Sequence, residues 1–431
     1  MEINTAIVAG TGKSGISATK LLVNHGVKVY LFDENKDRDI EAIKEKTGDS
    51  ELVQIELGEL GEDALSSSQL MVISPGIPVD APFTDVVRNA GIPIWSEIEL
   101  AYHYGKGKIA AITGTNGKTT TTALVGEIVK AHNAKTIVVG NIGIPYTELC
   151  DTTDDDSDTV AEISSFQLET VIDFHPNVSA ILNLTPDHLN RHYTFENYGN
   201  VKFSITKNQT MDDVTVLNYD DEHTRAMGEK AKDHCHVVYF SRLEKPAGGV
   251  YVEDGDIILE DGDKKINVLA IKDLKLMGAH NVENVLAAVG ISYYMGVPVD
   301  VIRDVATSFK AVAHRIEYVD TIDGVAYYND SKGTNPDAAI KGIQAMVAPT
   351  FLIGGGYDKG SEYDEWIEAF DGKVKWLVLI GQTAQKIADC AKRHGFNSII
   401  FEENLQDAVA YCHENAVDGD AVLLSPACAS W

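Results

Sequence analysis

The 431-residue sequence has few cysteines and no long apolar run. Its five cysteines are widely spaced, and no two of them form a CxxC pair. This spacing argues against a disulfide framework and a thiolate zinc site, and it favours a reducing compartment. The N-terminus lacks the basic start and apolar stretch of a signal peptide, and no run is long enough to cross a bilayer. These absences predict a cytoplasmic protein.

Basic residues are also scarce, since 36 Lys and Arg face 65 Asp and Glu, giving a formal net charge of -29. A field of this sign repels phosphates, so we expect neither nucleic acid nor a membrane as a partner. The excess acid is explained well enough as a means of keeping the surface soluble. With 44% hydrophobic and 23% charged residues, the composition is that of an ordinary globular protein.

Short runs rich in Val and Ile alternate with helical patterns along the whole chain, which is typical of parallel α/β units. A chain of this length exceeds what one core supports. We expect three α/β domains, comprising residues 1–97, 98–311 and 312–431. Alternating segments around Gly-Asp turns between about His236 and Leu274 predict β-hairpins added to the central domain.

Glycines at 10, 12 and 15 follow a predicted strand and open a helix, and Asp33 closes the next strand. This spacing is typical of a Rossmann-like unit, where glycines let the backbone approach a pyrophosphate at a helix N-terminus. The pattern indicates a nucleotide diphosphate but not its base. A turn without a ligand and an NAD-dependent oxidoreductase remain alternatives at this point.

The strongest local pattern is TGTNGKTT at residues 113–120, between a predicted strand and a helix. Backbone N–H groups of such a P-loop surround phosphates, Lys118 reaches the β- and γ-phosphates, and the Thr119 hydroxyl ligates Mg²⁺. Ile112 stands where the strict pattern has glycine, so this is a variant loop. The predicted ATP contacts are Gly114, Thr115, Asn116, Gly117, Lys118, Thr119 and Thr120. An ATP-binding switch or scaffold without a second substrate is the alternative.

Metal ligands are expected at the carboxyl ends of the strands beside this loop. Glu162 follows the predicted strand Asp158–Ala161, and His188 follows the predicted strand Val178–Leu182. His188 and His192 have the i, i+4 spacing of a zinc pair, but no thiolate or HExxH acid accompanies them. The sequence therefore favours magnesium over zinc.

Lys202 lies on the same helical stripe as Phe195, Tyr198 and Ile205. A lysine on an apolar face usually extends its amine to water, and this is the default interpretation. The alternative is a buried amine with a lowered pKa, which near a metal could react with CO₂ and become a carbamate ligand.

Three further segments carry polar groups suited to nucleotides or anions. Asn281 and Asn284 open an apolar helix, where Asn281 either caps the helix or presents its amide to a ligand. Arg315, which follows His314, is suited to clamp a phosphate or to form a hinge ion pair. The segment from Asp330 to Pro336 follows a strand and opens another helix, with proline suited to its first turn.

Together these patterns resemble the Mur ligase family, ATP-dependent enzymes that build the peptide of bacterial cell-wall precursors. The resemblance covers essentially the whole chain, in the segments TGTNGKTT, EISSFQLE from Glu162, Lys202, HNVEN from His280 and HR at His314. NDSKGTNPDA from Asn329, the GTGKSG turn and SPG at Ser74 are similar to the members that add D-glutamate. A member that adds a different amino acid remains an alternative.

The resemblance implies an ATP-dependent amide-bond ligase of three domains, Rossmann-like, P-loop ATPase-like and Rossmann-like. It would be a monomer that joins D-glutamate to UDP-N-acetylmuramoyl-L-alanine through an acyl phosphate, with ATP and two Mg²⁺ ions. By resemblance, Lys118, Lys202 and His188 are catalytic. The UDP-substrate contacts are Lys13, Ser14, Asp33, Gly76 and Asn141. The further ATP contacts are Asn281, Asn284, Arg315, Asp330 and Lys332. The metal ligands are Thr119, Glu162, His188 and a carbamylated Lys202. The D-glutamate contacts are Thr334, Lys359 and Ser430.

The sequence departs from the family at its end. Family members continue past the SPACAS motif, residues 425–430, into a segment with an aromatic residue near the D-glutamate site, whereas this sequence ends at Trp431. We therefore expect the amino-acid pocket to be incomplete in this chain.

Overall fold

The computed structural model describes residues 3–141, 143–276, 278–310, 315–358 and 360–429. They form three sheets flanked by helices, which confirms the predicted α/β class. The chain divides into two compact units. The first comprises Met1–Asp273 with Glu283–Thr307 and contains two of the sheets; the second comprises Leu274–Val282 with Ser308–Trp431 and contains the third.

The first sheet and its helices are formed by β1 (Thr5–Ala9), α1 (Lys13–Asn24), β2 (Lys28–Asp33), α2 (Ile40–Thr47), β3 (Val53–Leu57), α3 (Glu62–Ser67), β4 (Leu70–Ile73), α4 (Pro82–Asn89), β5 (Ile94–Ser96) and α5 (Glu97–Tyr104). All five strands are parallel, in the order β3-β2-β1-β4-β5. Strand β1 reads TAIVA and is almost wholly buried, as expected for a strand covered on both faces. The strand order reverses between β1 and β4, so a ligand crevice is expected beyond their carboxyl ends.

The central sheet and its helices are formed by β6 (Lys108–Thr113), α6 (Lys118–His132), β7 (Ile137–Gly140), α7 (Tyr146–Leu149), β8 (Asp158–Glu162), α8 (Ser165–Leu168), β9 (Val178–Ile181), α9 (Leu189–His192), α10 (Phe195–Phe203), β10 (Val214–Asn218), α11 (Glu222–Ala231), β11 (His236–Ser241), β12 (Gly249–Glu253), β13 (Asp256–Asp261), β14 (Lys264–Ala270), α12 (Ala279–Tyr294) and α13 (Val299–Ser308). The strand order is β14-β13-β12-β11-β10-β9-β6-β8-β7. Strand β6 lies between β8 and β9, so the loops that follow these three strands meet at one edge.

The predicted hairpins of the central sheet are confirmed for β12–β13 and β13–β14, which pair antiparallel. The prediction was wrong for β11, which lies parallel to β10. Helix α11 connects these two strands, and a helical crossover returns the chain in the same direction.

The third sheet belongs to the second unit, with elements β15 (Glu317–Ile322), β16 (Val325–Asn329), α14 (Pro336–Ala345), β17 (Thr350–Gly354), α15 (Asp364–Glu368), β18 (Val374–Leu379), α16 (Ala384–Arg393), β19 (Ile399–Phe401), α17 (Leu405–Asn415) and β20 (Ala421–Leu424). Its order is β15-β16-β20-β17-β18-β19, parallel except for the β15–β16 hairpin. Helix α14 begins at the expected Pro336, with the Asn335 side chain accepting from the Ala338 N–H as its cap.

One hydrophobic core runs through the first unit, from Ala6 and Val8 in the first sheet to Ile181 and Leu217 in the central sheet. The two sheets of this unit are therefore held by shared apolar packing. Among the helices of the described residues, each is too short or too polar to cross a lipid bilayer.

Candidate active site

The TGTNGKTT loop connects β6 to α6, as predicted, and two of its glycines have left-handed backbones. Gly114 has φ 144° and Gly117, the residue before α6, has φ 82°. A Cβ at Gly117 would lie 2.2 Å from Oδ1 of Asn284. Glycine at this position thus serves the backbone turn and the close approach of Asn284, a predicted ATP contact.

Asn183, just beyond β9, fastens the loop from the side. Its Oδ1 accepts from the Asn116 N–H at 2.8 Å, its Nδ2 donates to the Asn116 carbonyl at 3.1 Å, and its own carbonyl accepts from the Thr115 N–H at 3.0 Å. The Thr115 hydroxyl lies 3.1 Å from the Tyr198 hydroxyl. Sequence reasoning missed these roles of Asn183 and Tyr198. The position of Asn183 at the carboxyl end of a strand beside β6 was the available signal.

Two lysine amines converge on one carbonyl oxygen in the loop. Nζ of Lys118 donates to the carbonyls of Gly114 at 2.9 Å and Thr115 at 2.8 Å. Nζ of Lys202, which lies on helix α10, donates to the same Gly114 carbonyl at 2.8 Å. The P-loop pattern indicated Lys118 and the family resemblance indicated Lys202, and the structure brings the two amines together.

Lys202 is 1% exposed, so the expectation that its amine reaches water was wrong. Its stripe neighbours Tyr198 and Ile205 are buried with it, and Nζ lies 4.8 Å from the centre of the Tyr198 ring. Burial lowers the pKa of Lys202 well below its usual value, and the positive charge of Lys118 lowers it further. Asp187 and Glu162 act in the opposite direction but do not overcome this. The lowered pKa favours the unprotonated form of this amine, which is its nucleophilic form.

Glu162 ends β8 as a buried carboxylate with one oxygen engaged. Its Oε1 accepts from Nδ2 of Asn141 at 2.7 Å, which joins a predicted metal ligand to a predicted substrate contact. Within the described residues its Oε2 is buried without a hydrogen-bond partner. A buried carboxylate oxygen in that position is the donor that a hard cation takes.

The chain turns sharply after Glu162 because Ser164 and Gln167 form a capping box around α8. Phe166 then lies edge-on to the ring of His188, with 4.8 Å between centroids. His188 has φ 53°, an uncommon left-handed conformation for a non-glycine residue, and its N–H donates to Oδ1 of Asp187. Such strain often accompanies a functional side chain.

His192 is engaged by protein groups of its own. Its Nε2 lies 2.9 Å from the Ser165 hydroxyl, and its ring stacks on Phe166. Burial lowers the pKa of His192 to about 4. The i, i+4 spacing that resembled a zinc pair therefore reflects packing of a neutral imidazole.

The glycine turn between β1 and α1 carries its own polar network. Oδ2 of Asp33 accepts from the Thr11 N–H at 3.1 Å and the Thr11 hydroxyl at 2.6 Å, and Nε of Arg38 lies at 3.2 Å. Although burial opposes them, these hydrogen bonds and the Arg38 charge hold the pKa of Asp33 below its usual value. Nζ of Lys13 donates to the Gly143 carbonyl.

A cavity of about 600 Å³ opens beside this turn, and Thr11, Gly12 and Lys13 form part of its wall together with Lys20 and Lys46. The lining also contains Glu148 and Asp151, so its three lysines exceed its acids by one, a small excess of positive charge that favours an anion. Ser14 is half-buried at the start of α1, and Gly76 lies exposed in the loop after β4. The predicted UDP-substrate residues of the first sheet thus surround the carboxyl ends of β1 and β4.

In the second unit, three loops meet beyond β16, β20 and β17. The Ser425 hydroxyl donates to Oδ2 of Asp330 at 2.7 Å, and the Ala427 N–H donates to the Gly333 carbonyl. The Tyr357 N–H donates to the Ala429 carbonyl at 2.9 Å. Burial raises the pKa of Asp330 to about 6.

These loops carry the predicted D-glutamate contacts. Thr334 is half-buried in the loop after β16, where the predicted ATP contact Lys332 is exposed. Lys359 and Ser430, together with His314, lie outside the described residues. Sequence reasoning missed Thr383, whose hydroxyl accepts from the Gly356 N–H at 2.9 Å and lies 3.1 Å from Sγ of Cys428.

Asn281 also belongs to the second unit, where it is 7% exposed. Helix α12 begins at Ala279, so Asn281 lies within its first turn and the capping interpretation was wrong. Arg315 is half-buried. Burial lowers the pKa of His280 to about 4, and the charges of Lys341 and Arg315 lower it further. The Arg315 charge also partly opposes the burial that raises the pKa of Asp330.

Three sequence families match the chain in consecutive segments. The Mur ligase MurD-like N-terminal domain matches residues 4–96, the Mur ligase middle domain matches residues 112–292, and the Mur ligase glutamate ligase domain matches residues 314–428. The matched segments correspond to the three sheets in order.

Similar proteins align over the whole length. UDP-N-acetylmuramoylalanine–D-glutamate ligase from Lachnospira eligens is 55% identical over 431 residues, which is 100% of this chain and 95% of that protein. The ligase of the same name from Lachnoclostridium phytofermentans is 51% identical over 425 residues, covering 99% of this chain and 93% of that protein. The crystal structure of UDP-N-acetylmuramate-alanine ligase from Thermotoga maritima has a TM-score of 0.62 at 19% identity and covers 99% of this chain and 96% of that one. At this low identity, the likeness to the Thermotoga maritima structure shows a shared fold.

Proposed function

The chain belongs to the Mur ligase family, and we propose that it is the ATP-dependent ligase that joins D-glutamate to UDP-N-acetylmuramoyl-L-alanine in peptidoglycan precursor synthesis. The relatives named for this reaction share about half of their residues with this chain and align along all of it. The observation that carries the proposal is the pair of lysine amines on the Gly114 carbonyl, beside the buried carboxylate of Glu162.

The proposal includes two Mg²⁺ ions, because the side chains available at the site suit this cation. Thr119, Glu162, His188 and Lys202 are its proposed ligands, and Oε2 of Glu162 is a buried carboxylate oxygen left for a cation. When bound, Mg²⁺ would act as a Lewis acid that offsets charge on the phosphate oxygens.

Lys202 would enter this set as a carbamate. Its neutral amine attacks the carbon of CO₂, an N–C bond forms, and one proton leaves to solvent. The product is an anionic oxygen donor in place of a buried, uncharged amine. The low pKa of Lys202 supports this step, because only the unprotonated amine reacts.

ATP is needed because a carboxylate is a poor acylating agent. In the first step an oxygen of the alanyl carboxylate attacks the γ-phosphorus, the bond to the β,γ-bridging oxygen breaks, and ADP leaves. Lys118 now donates to its own loop, and in this step its Nζ would turn to the transferring phosphoryl group. The loop N–H groups at the start of α6 would hold the phosphates.

In the second step the amine of D-glutamate attacks the acyl carbon, an amide bond forms, inorganic phosphate leaves, and the nitrogen releases its proton. We assign Thr334, Lys359 and Ser430 to D-glutamate, and Asn281, Asn284, Arg315, Asp330 and Lys332 to ATP. The hydrogen bonds that join the loops of Asp330, Gly356 and Ala429 support one amino-acid site at that edge of the third sheet.

The test is phosphate release from ATP, with UDP-N-acetylmuramoyl-L-alanine and a panel of amino acids supplied or omitted in turn. We expect release that requires both the nucleotide and D-glutamate. Release with another amino acid would move the chain to a different ligase of the family. ATP hydrolysis indifferent to both substrates would contradict the ligase and favour a switch.

We place the reaction in the cytoplasm. All five cysteines lie in the described residues as free, buried thiols, as expected where thiols stay reduced. Recovery of activity in the soluble cytoplasmic fraction checks this, and recovery outside the cytoplasm would contradict it.

A further inference from the structure

Arg191, near the end of α9, makes a buried fork of hydrogen bonds. Its Nε donates to Oε1 of Glu169 at 3.1 Å and its Nη2 to Oε2 at 2.5 Å. The same Nη2 donates to the carbonyl of Ile77 at 2.8 Å. The side chains of Arg191 and Glu169 are 11% and 7% exposed, so water competes little for these groups.

The fork ties together three segments that carry predicted site residues. Ile77 follows Gly76 in the loop after β4, Glu169 follows α8 and the EISSFQ turn, and Arg191 lies three residues after His188. The guanidinium also lies 4.9 Å from the centre of the Phe166 ring, the ring that faces His188. One side chain therefore links the loop of the first sheet to the metal-ligand segments of the central sheet.

We propose that Arg191 is a positioning residue that fixes the loop of residues 74–77 relative to the catalytic edge of the central sheet. This rests on the proposed function, in which one end of the nucleotide substrate is held by the first sheet while its carboxylate meets the γ-phosphate. A displacement of about 1 Å in such an arrangement costs on the order of 10²-fold in rate.

The planar fork of arginine is necessary for this role. Lysine keeps the charge but has a single compact donor group, so it cannot hold both Glu169 oxygens and the Ile77 carbonyl in one plane. Arg191→Lys should retain the buried charge and the fold while releasing the loop. Glu169→Gln should act in the same direction, because it leaves Arg191 with a single strong acceptor.

The chain offers a matched control next to the same helix and loop. The Tyr193 hydroxyl donates to Asp80, which also joins α9 to the segment after β4, but Tyr193 is 70% exposed. An exposed hydrogen bond of this kind contributes little, because water replaces it. Tyr193→Phe should therefore leave the loop and the kinetics nearly unchanged.

The experiment measures kcat and the KM values of all three substrates, and hydrogen exchange of the amides of residues 74–77, in wild type and in the three variants. We expect Arg191→Lys to lower kcat/KM for the nucleotide substrate about 10- to 100-fold with the KM of ATP within about twofold. Hydrogen exchange of the amides of residues 74–77 should become faster in the same variant. A KM for ATP that rises as much as the KM for the nucleotide substrate, or unchanged kinetics, would overturn the proposal.

Hydrogen exchange keeps this outcome separate from that of the proposed function. If wild type did not use the nucleotide substrate, the proposed function would fail. Faster exchange at residues 74–77 in Arg191→Lys, with Tyr193→Phe unchanged, would still support the positioning role. Exchange that is equal in all variants would refute it whatever the substrate.

Discussion

The first unit contains two glycine loops that look alike in sequence and differ in structure. In both, a buried strand ends at a glycine with positive φ, Gly10 at 102° and Gly114 at 144°, and a helix follows. Helix α1 starts after Gly12, which is extended and has open space around it. Helix α6 starts after Gly117, which is left-handed and touches Asn284.

The two loops also differ in charge. The first is balanced by Asp33, which keeps its negative charge through bonds to Thr11, while Lys13 is exposed. The second has two lysines on one carbonyl, one of them buried. A loop of the first kind is suited to hold a phosphate that does not react, and one of the second kind to stabilise charge that moves during reaction.

Replacing the lysine of the second loop should have the largest effect. Lys118→Ala removes the amine that would meet the transferring phosphoryl group, so we expect kcat to fall about 10²- to 10³-fold with normal thermal unfolding. Phosphate release measures it. The matched change Lys13→Ala in the first loop should affect only the KM of the nucleotide substrate. Equal losses of kcat in the two variants would erase the distinction between the loops.

Lys202→Ala tests the buried partner. Loss of the proposed carbamate ligand should lower kcat about 10²-fold, and short carboxylic acids such as acetate should restore part of it by supplying the missing oxygens. Lys230→Ala, on an exposed position of α11, should lose nothing and gain nothing from acetate. If Lys202→Ala were fully active, Lys202 would have only a packing role.

Two glycines of the first loop, Gly12 and Gly15, differ in the space that a side chain would find. A Cβ at Gly15 would lie 1.8 Å from the Gly10 carbonyl oxygen, whereas one at Gly12 meets nothing within 4 Å. We expect Gly15→Ala to destabilise the first unit by about 1–3 kcal/mol and Gly12→Ala to be tolerated. Denaturant unfolding measures both. A Gly15→Ala variant as stable as wild type would mean that α1 does not need its close approach to β1.

The sequence predicted what is local. Strands such as Thr5–Ala9 and Ala421–Leu424, and the proline that begins α14, follow from short patterns, and the structure has them where expected. The α/β class followed from their alternation. Lys202 was found by its stripe, but its burial was not, because the depth of a side chain depends on which elements cover it.

Contacts between distant segments were out of reach of local patterns. Asn183 and Arg191 are separated by 67 and 114 residues from the Asn116 and Ile77 that they hold, and no spacing rule joins such pairs. The parallel course of β11 and the packing of His192 were missed for the same reason. Both are decided by the neighbour that an element finds in the fold, as polar and pairing groups seek partners wherever the topology provides them.

The smallest effect we predict is a difference in acid sensitivity between the surroundings of the two loops. His192 beside the second loop has a folded pKa of about 4 against 6.5 when unfolded, so between these pH values the unfolded state binds a proton that the folded state refuses. Stability is thus lost as pH falls below 6.5, by about 1 kcal/mol at pH 6.

Asp33 beside the first loop behaves differently, because its folded pKa is lowered and its contribution fades only below pH 3.8. At pH 5.5, hydrogen exchange should therefore be faster in α9 than in the β1–α1 turn. His192→Gln should remove this dependence of the stability of α9 on pH while leaving the turn unchanged. Simultaneous opening of both regions would show that the two loops respond to acid as one cooperative unit, since α9 and the turn share the core of the first unit.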